Sequence, residues 1–103
     1  MKKISVTEFS KIIEQDGIIL VDVRSPDEFE LVNIGGINIP VNQIMDRVDD
    51  FKKDDTIYFL CHHGSRSEFA CLMFSSRGFA NVINIEGGIH AYAIQVGPDL
   101  RTY

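Results

Sequence analysis

Alternating strand-like and helix-like segments are the feature of this sequence that most restricts its fold. Four short apolar runs predict strands, at residues 18–23, 37–39, 56–60 and 81–85. Amphipathic stretches with helix start and stop signals lie between them. Parallel strands need long crossover connections, which helices usually supply. The sequence therefore predicts an α/β fold, with a mostly parallel central sheet of about five strands and helices on both faces.

The helices are predicted from caps and from apolar spacing. Thr7 is expected to cap the first helix, and Gly17 follows it. Ser25 and Pro26 stand at the cap and first position of the second. The predicted helices span residues 8–14, 25–30, 41–51, 65–77 and 89–94. Gly78 is expected to end the fourth of them. The predicted core-facing residues are Phe9, Ile12 and Ile13 in the first helix, Val41, Ile44, Met45, Val48 and Phe51 in the third, and Phe69, Leu72 and Met73 in the fourth.

Composition narrows the class of protein and the partners. The 103 residues suit one domain, predicted over residues 1–103, and 45% of them are hydrophobic, enough for one core. The net charge of −5 and the absence of a basic block argue against nucleic acid or a membrane surface as partner. Residues 1–8 lack the apolar stretch of a signal peptide, and only two cysteines occur. We predict a cytoplasmic protein, either a monomer or a weak homodimer.

Cys61 is the strongest candidate for chemistry. It directly follows the predicted strand 56–60 and opens a turn that contains Gly64, after which a helix begins. In an open parallel sheet, ligands bind at the carboxyl ends of the strands. Loop N–H groups and a helix N-terminus together form an anion site, which favours the thiolate of a cysteine. The pattern predicts that Cys61 is a nucleophile.

Four segments, in this order and spacing, resemble the single-domain rhodaneses, a sulfurtransferase family. They are Leu20–Phe29, Ile34–Pro40, Cys61–Ser67 and Gly87–Tyr92, and the ending Gly97–Tyr103 resembles the tail of some small cytosolic members. The resemblance implies a rhodanese-like fold and a two-step transfer. Cys61 would take sulfur from a small anionic donor such as thiosulfate, carry it as a persulfide, and pass it to cyanide, a thiol or a protein acceptor.

The same resemblance assigns the remaining site residues. The loop residues His62, His63, Gly64, Ser65, Arg66 and Ser67 would bind the donor and the transferred sulfur. Asp22 and Arg24 match the family's Asp-x-Arg signature and are expected to form a buried ion pair that supports the site. Arg66 is expected to shape the loop, with some substrate contact, although a simple tie to a carboxylate remains possible. Asn33 stands where the family often has histidine, and Gly36 where it often has alanine.

Several of these residues also have structural interpretations. Ser65 and Glu68 fit a capping box, and Cys71 is expected to be a small buried hydrophobe. The two histidines either lie unengaged on the surface or contact substrate. A metal bound with Cys61 is a further possibility, but adjacent histidines are expected to point apart and no other ligand set appears. We therefore predict no metal and no cofactor.

Two other functions remain open. A silent binding or regulatory module would keep the fold without chemistry, but the intact Cys61 and Gly64 argue against it. The second is a cysteine phosphatase or an arsenate-type enzyme. Cysteine phosphatases have five residues between the cysteine and the arginine, whereas four separate Cys61 from Arg66 here, and this shorter loop argues against that function. A redox thiol protein is less favoured, since Cys71 lies outside Cys-x-x-Cys spacing.

Overall fold

A computed structural model describes residues 2–103, which form a five-stranded, wholly parallel sheet. The strands are β1 (Lys2–Ser5), β2 (Ile19–Asp22), β3 (Ile37–Asn38), β4 (Ile57–Leu60) and β5 (Val82–Glu86). Their spatial order is β1-β5-β4-β2-β3, and every neighbouring pair is parallel. The predicted fold class is confirmed. β1 was not among the predicted strands, because its mostly exposed sequence Lys-Lys-Ile-Ser has no apolar run and it gains strand structure by pairing with β5.

The helices occupy the predicted connections with altered bounds. They are α1 (Val6–Ser10), α2 (Pro26–Leu31), a 3₁₀ helix (Ile44–Asp50), α3 (Ser65–Ser76) and α4 (Gly88–Gln95). The predicted Thr7 cap is wrong, because Ser5 accepts the N–H of Glu8 and the helix begins at Val6. The Ser25 cap is confirmed, and Ser25 and Glu28 form a reciprocal capping box. None of the described helices has the length and apolarity that crossing a bilayer requires.

Two apolar clusters cover the two faces of the sheet. Alternation along β4 sends Ile57 and Phe59 to one face and Tyr58 and Leu60 to the other. The 3₁₀ helix and α3 cover the first face, where the predicted stripe of the 41–51 segment packs as expected. On the second face lie α1 and α4, with Phe9 fully buried. Because β4 is central and covered on both sides, the residue that follows it is held in a rigid setting.

The predicted inward face of α3 is wrong. Phe69 and Leu72 are 50% and 51% exposed, whereas Ala70, Cys71 and Phe74 are completely buried. The small residues let the helix approach the sheet closely, and Phe74 packs edge-on against Phe59 at 5.0 Å between ring centroids. Apolar residues occur on two faces of this helix, so spacing alone did not identify the packed one.

The Ser65–Glu68 capping box is also wrong. Gly64 is the N-cap, at φ +117°, and no side chain caps the helix. A positive φ strains any residue with a Cβ, which explains glycine at this position. Asn33, in place of the family's usual histidine, makes two local hydrogen bonds: its amide N–H donates to the Phe29 carbonyl and its oxygen accepts the Gly35 N–H, both at 2.9 Å. These bonds stabilise the turn after α2.

Candidate active site

The sulfur of Cys61 lies where β4, the turn at Gly64 and the start of α3 meet. Cys61 is 1% exposed and follows β4 directly. The Gly64 N–H donates to Sγ at 3.0 Å, and the Ser67 hydroxyl lies 3.3 Å from the same sulfur. A donated N–H stabilises negative charge on the sulfur, and the N-terminus of a helix adds a favourable field. The arrangement is suited to a nucleophilic thiolate or to a negatively charged persulfide.

Ser67 and Asn84 form a buried polar link that holds the loop. The Ser67 hydroxyl contacts the Asn84 side-chain oxygen at 2.5 Å and the Gly64 carbonyl at 3.1 Å. The Asn84 amide N–H donates to the same carbonyl at 3.3 Å. Asn84 was missed by the sequence analysis, although a polar residue inside the apolar run 82–85 was a usable signal. Through this link, β5 positions the loop that carries Cys61.

Arg66 is paired with a carboxylate from another helix. Its two terminal nitrogens donate to the two carboxylate oxygens of Glu28, at 2.7 and 2.9 Å. The Tyr103 hydroxyl also donates to Glu28, at 2.7 Å. The hydrogen bonds from Arg66, with smaller help from Tyr103, hold the pKa of Glu28 well below its usual range. The structure thus shows the tie to a carboxylate, the second of the two roles that the sequence allows for Arg66.

The predicted buried ion pair between Asp22 and Arg24 is confirmed. Both side chains are fully buried, and the guanidinium binds the carboxylate through Nε at 2.9 Å and Nη2 at 2.7 Å. The remaining donors reach the carbonyls of Val32 and Glu28 and the hydroxyl of Tyr103. Arg24 therefore joins β2, α2 and the segment after α4 beside the cysteine loop.

The backbone of α4 docks directly on the cysteine loop. The N–H groups of Ile89 and His90 donate to the carbonyls of Cys61 and His62, at 2.9 and 3.1 Å. Gly88, at φ +64°, permits this approach, since a Cβ there would lie 2.3 Å from the His62 carbonyl oxygen. The docking fixes the outer side of the loop and brings His90 to it.

The histidines of the loop do not point apart as expected. The rings of His62 and His63 are 4.0 Å apart between centroids, and His90 lies 4.8 Å from His63. The Tyr103 ring stacks on His62 at 3.9 Å with an interplanar angle of 3°. Burial, and next the neighbouring His63, lower the pKa of His62. His90 was missed as part of the site, because its proximity depends on how α4 docks.

The other cysteine is buried, as predicted. Cys71 is completely buried in the core beneath α3. Desolvation raises its pKa to about 12. It therefore stays a neutral thiol at physiological pH and provides an internal control for the chemistry of Cys61.

An open groove of about 520 Å³ adjoins the outer side of the loop. Its lining includes the exposed Ser65, together with His63, Gly64 and Asn84, but not Cys61. Lys3 and two carboxylates, Glu68 and Glu86, share its walls. Because Lys3 is paired with Glu86 at 3.1 Å, the groove has no net attraction for an anion, and we do not assign the donor to it.

The protein has a parallel sheet covered by helices, and a loop with a cysteine lies at the carboxyl end of the central strand. This arrangement defines the class of α/β proteins that bind an anion beside a reactive cysteine. The Rhodanese-like domain family matches residues 5–95, and the chain belongs to this family. A sulfurtransferase of Allochromatium vinosum is 31% identical over 84 residues, which cover 81% of this chain and 78% of that protein. The thiosulfate sulfurtransferase GlpE of Pseudomonas syringae is 28% identical, over 84% of this chain and 90% of its own.

A solved structure and the longer relatives complete the comparison. The rhodanese-like domain protein of Staphylococcus aureus superposes with a TM-score of 0.84 at 28% identity, covering 100% of this chain and 99% of its own. In several other curated relatives the chain spans only 22% to 48% of the length. The family is therefore shared by proteins of this size and by larger proteins that contain such a domain.

Proposed function

We propose that this protein is a sulfurtransferase that carries sulfane sulfur as a persulfide on Cys61. The observation that carries the proposal is the Gly64 N–H directed at the buried Cys61 sulfur at 3.0 Å, at the start of α3. The relatives named as sulfurtransferases support the class of reaction, and the relative named as a thiosulfate sulfurtransferase supports thiosulfate as a donor.

The transfer proceeds in two displacements at sulfur. The Cys61 thiolate attacks the outer sulfur of thiosulfate, so that a new S–S bond forms and the bond to the sulfonate sulfur breaks. Sulfite leaves with the electron pair. Cyanide or a thiolate then attacks the outer sulfur of the persulfide, and Cys61 departs as the thiolate.

The loop backbone is proposed to hold the transferred sulfur in both steps. The Gly64 N–H already points at the Cys61 sulfur, and we propose that the other amides of residues 62–67 join it around the terminal sulfur, while Ser67 and Asn84 keep the loop in place. His62, His63 and Ser65 complete the proposed donor contacts at the loop rim. Arg66 is proposed mainly to shape the loop, and it would contact the donor only through N–H groups that Glu28 leaves free. Asp22 and Arg24 are proposed to support the site indirectly, through the contacts of Arg24 with the Glu28 carbonyl and the Tyr103 hydroxyl.

Intact-mass analysis after incubation with thiosulfate tests this proposal. We expect a gain of one sulfur atom that cyanide removes as thiocyanate. The gain should be absent in Cys61→Ser and retained in the matched control Cys71→Ser, because Cys71 is a buried neutral thiol. Thiosulfate, a low-molecular-weight persulfide and a persulfidated protein should be tested separately as donors.

Other outcomes favour other functions. If no donor adds sulfur to the wild-type protein, the enzymatic proposal fails and a silent binding module is favoured. If the protein instead hydrolyses an aryl phosphate and takes up no sulfur, the phosphatase alternative is favoured. The four-residue spacing between Cys61 and Arg66 argues against that alternative.

A further inference from the structure

Three histidines, His62, His63 and His90, meet at the rim of the cysteine loop. They are all the histidines of the chain. One ring nitrogen from each lies within 4.8 Å of the others, although His90 comes from α4 and the other two from the loop after β4. Three imidazoles grouped in this way are a ligand set for a transition metal. Two Zn–N bonds of about 2.0–2.1 Å span at most about 4.2 Å, so small rotations of the rings would bring the three nitrogens to one ion.

The cluster is held in place by the backbone. The His90 N–H donates to the His62 carbonyl at 3.1 Å, so the main chains that bear these two ligands are tied directly to each other. The close approach of Gly88 permits this tie. Stacking of the Tyr103 ring restricts the ring plane of His62. A preorganised set of ligands loses less conformational entropy when an ion binds.

Two of the ring nitrogens are buried without a partner. His62 Nε2 and His90 Nδ1 have almost no solvent contact, and neither makes a hydrogen bond to any atom of residues 2–103. Buried polar atoms are nearly always satisfied, so unpartnered ones require an explanation. Both atoms belong to the cluster residues, and a neutral imidazole nitrogen is a metal ligand. An ion bound by these atoms would give them the partner that they lack.

We propose that His62, His63 and His90 bind one divalent transition-metal ion, of the zinc, copper, nickel or cobalt class. Imidazole ligands favour these ions over magnesium or calcium, which prefer oxygen. Three protein ligands leave at least one coordination position for water or an anionic ligand. None of its ligands is the reacting Cys61, although His62 and His63 are also proposed donor contacts, so a bound ion would lie at the rim where the donor enters.

Zinc titration of tag-free, chelator-treated protein tests the proposal. The histidine substitutions are best made in the Cys61→Ser variant, in which no Cys61 thiolate can bind the zinc. We expect one Zn²⁺ per chain by calorimetry, equally in the wild type and in Cys61→Ser. Long-range ¹H–¹⁵N spectra should show changed ring-nitrogen signals for all three histidines. His63→Ala and His90→Ala should each weaken binding by about tenfold or more. Asp54→Ala, an exposed carboxylate preceding β4 at the opposite end of that strand, should bind as the wild type does.

Several results would overturn the proposal. One is zinc binding that is lost in Cys61→Ser but kept in His90→Ala, since the ion would then lie on the thiolate. Others are the absence of saturable binding, and stoichiometric binding unaffected by His63→Ala. Because His63 is exposed, His63→Ala keeps the test valid even if His90→Ala fails to fold. Persulfide formation on Cys61 is measured separately, so each proposal can fail without the other.

Discussion

Removing Arg24 should be among the most destabilising single substitutions in this protein. In Arg24→Met the Asp22 carboxylate stays fully buried, and among residues 2–103 it keeps one hydrogen bond, from the backbone N–H of residue 24 at 3.1 Å. Breaking one side of a buried ion pair costs about 3–5 kcal/mol, because the other charge is left without a partner. A domain has about 5–15 kcal/mol of stability in total, so the variant should be near the limit of folding.

A double-mutant cycle separates the ion pair from the other roles of Arg24. Asp22→Asn leaves the guanidinium charged but still bonded to the carbonyls of Val32 and Glu28. The free energy of unfolding should therefore fall by about 3 kcal/mol or less. The double variant Asp22→Asn/Arg24→Met has no unpaired buried charge. It should therefore lose about 1–3 kcal/mol less than the sum of the single variants.

Urea denaturation followed by far-ultraviolet circular dichroism gives the required free energies, since the chain has no tryptophan to report by fluorescence. Arg24→Lys is the matched control that keeps the charge but cannot make the forked contact, and it should fall between the wild type and Arg24→Met. Two results would refute the reasoning: a cost below about 1 kcal/mol for Arg24→Met, or additivity of the two single variants within about 0.5 kcal/mol.

Three further predictions concern the pairing of Glu28, the docking of α4 and the second thiol. Arg66 lowers the pKa of Glu28, so their pairing stabilises the fold fully above the ordinary pKa of a glutamate. This stabilisation is lost as the pH falls through the lowered pKa. The urea midpoint should therefore decrease more steeply with falling pH in the wild type than in Glu28→Gln. Gly88→Ala should lower the thermal midpoint much more than Gly35→Ala. Both glycines have positive φ, but only at Gly88 would a Cβ lie against the loop backbone. Equal decreases in the thermal midpoint would contradict the close docking of α4 on the loop. Alkylation of Cys71 by iodoacetamide should require unfolding, which peptide mapping in native and denaturing buffer can check, since its pKa is raised to about 12.

The sequence predicted the layered fold because its signals are local. Runs such as 18–23 and 56–60 are apolar at nearly every position, which is typical of strands covered on both faces, and their position before helices implied parallel pairing. β1 lacked such a signal, since its strand structure depends on pairing with β5. The face of α3 was predicted wrongly because the large apolar residues were favoured over the small ones that allow close packing.

The site was predicted in part, for a related reason. Cys61 and the Asp22–Arg24 pair lie in short motifs, so their roles were readable from neighbouring residues. Asn84 and His90 reach the same loop from β5 and α4, and their contacts depend on three-dimensional docking. No local pattern encodes such a distance.

The pairing of Arg66 bears on which chemistry the loop can perform. Both terminal nitrogens of its guanidinium are bound by Glu28, so most of the positive charge nearest the loop is already neutralised. A phosphate dianion would need that guanidinium as a forked donor, and freeing it would expose the Glu28 carboxylate to the same anion. Thiosulfate is a dianion too, but the persulfide left on Cys61 after sulfite departs carries at most one negative charge, which backbone N–H groups such as that of Gly64 can stabilise. The arrangement therefore supports sulfur transfer over phosphate hydrolysis. If it governs the choice, Glu28→Gln should increase the affinity of the loop for phosphate or vanadate and leave persulfide formation on Cys61 largely intact.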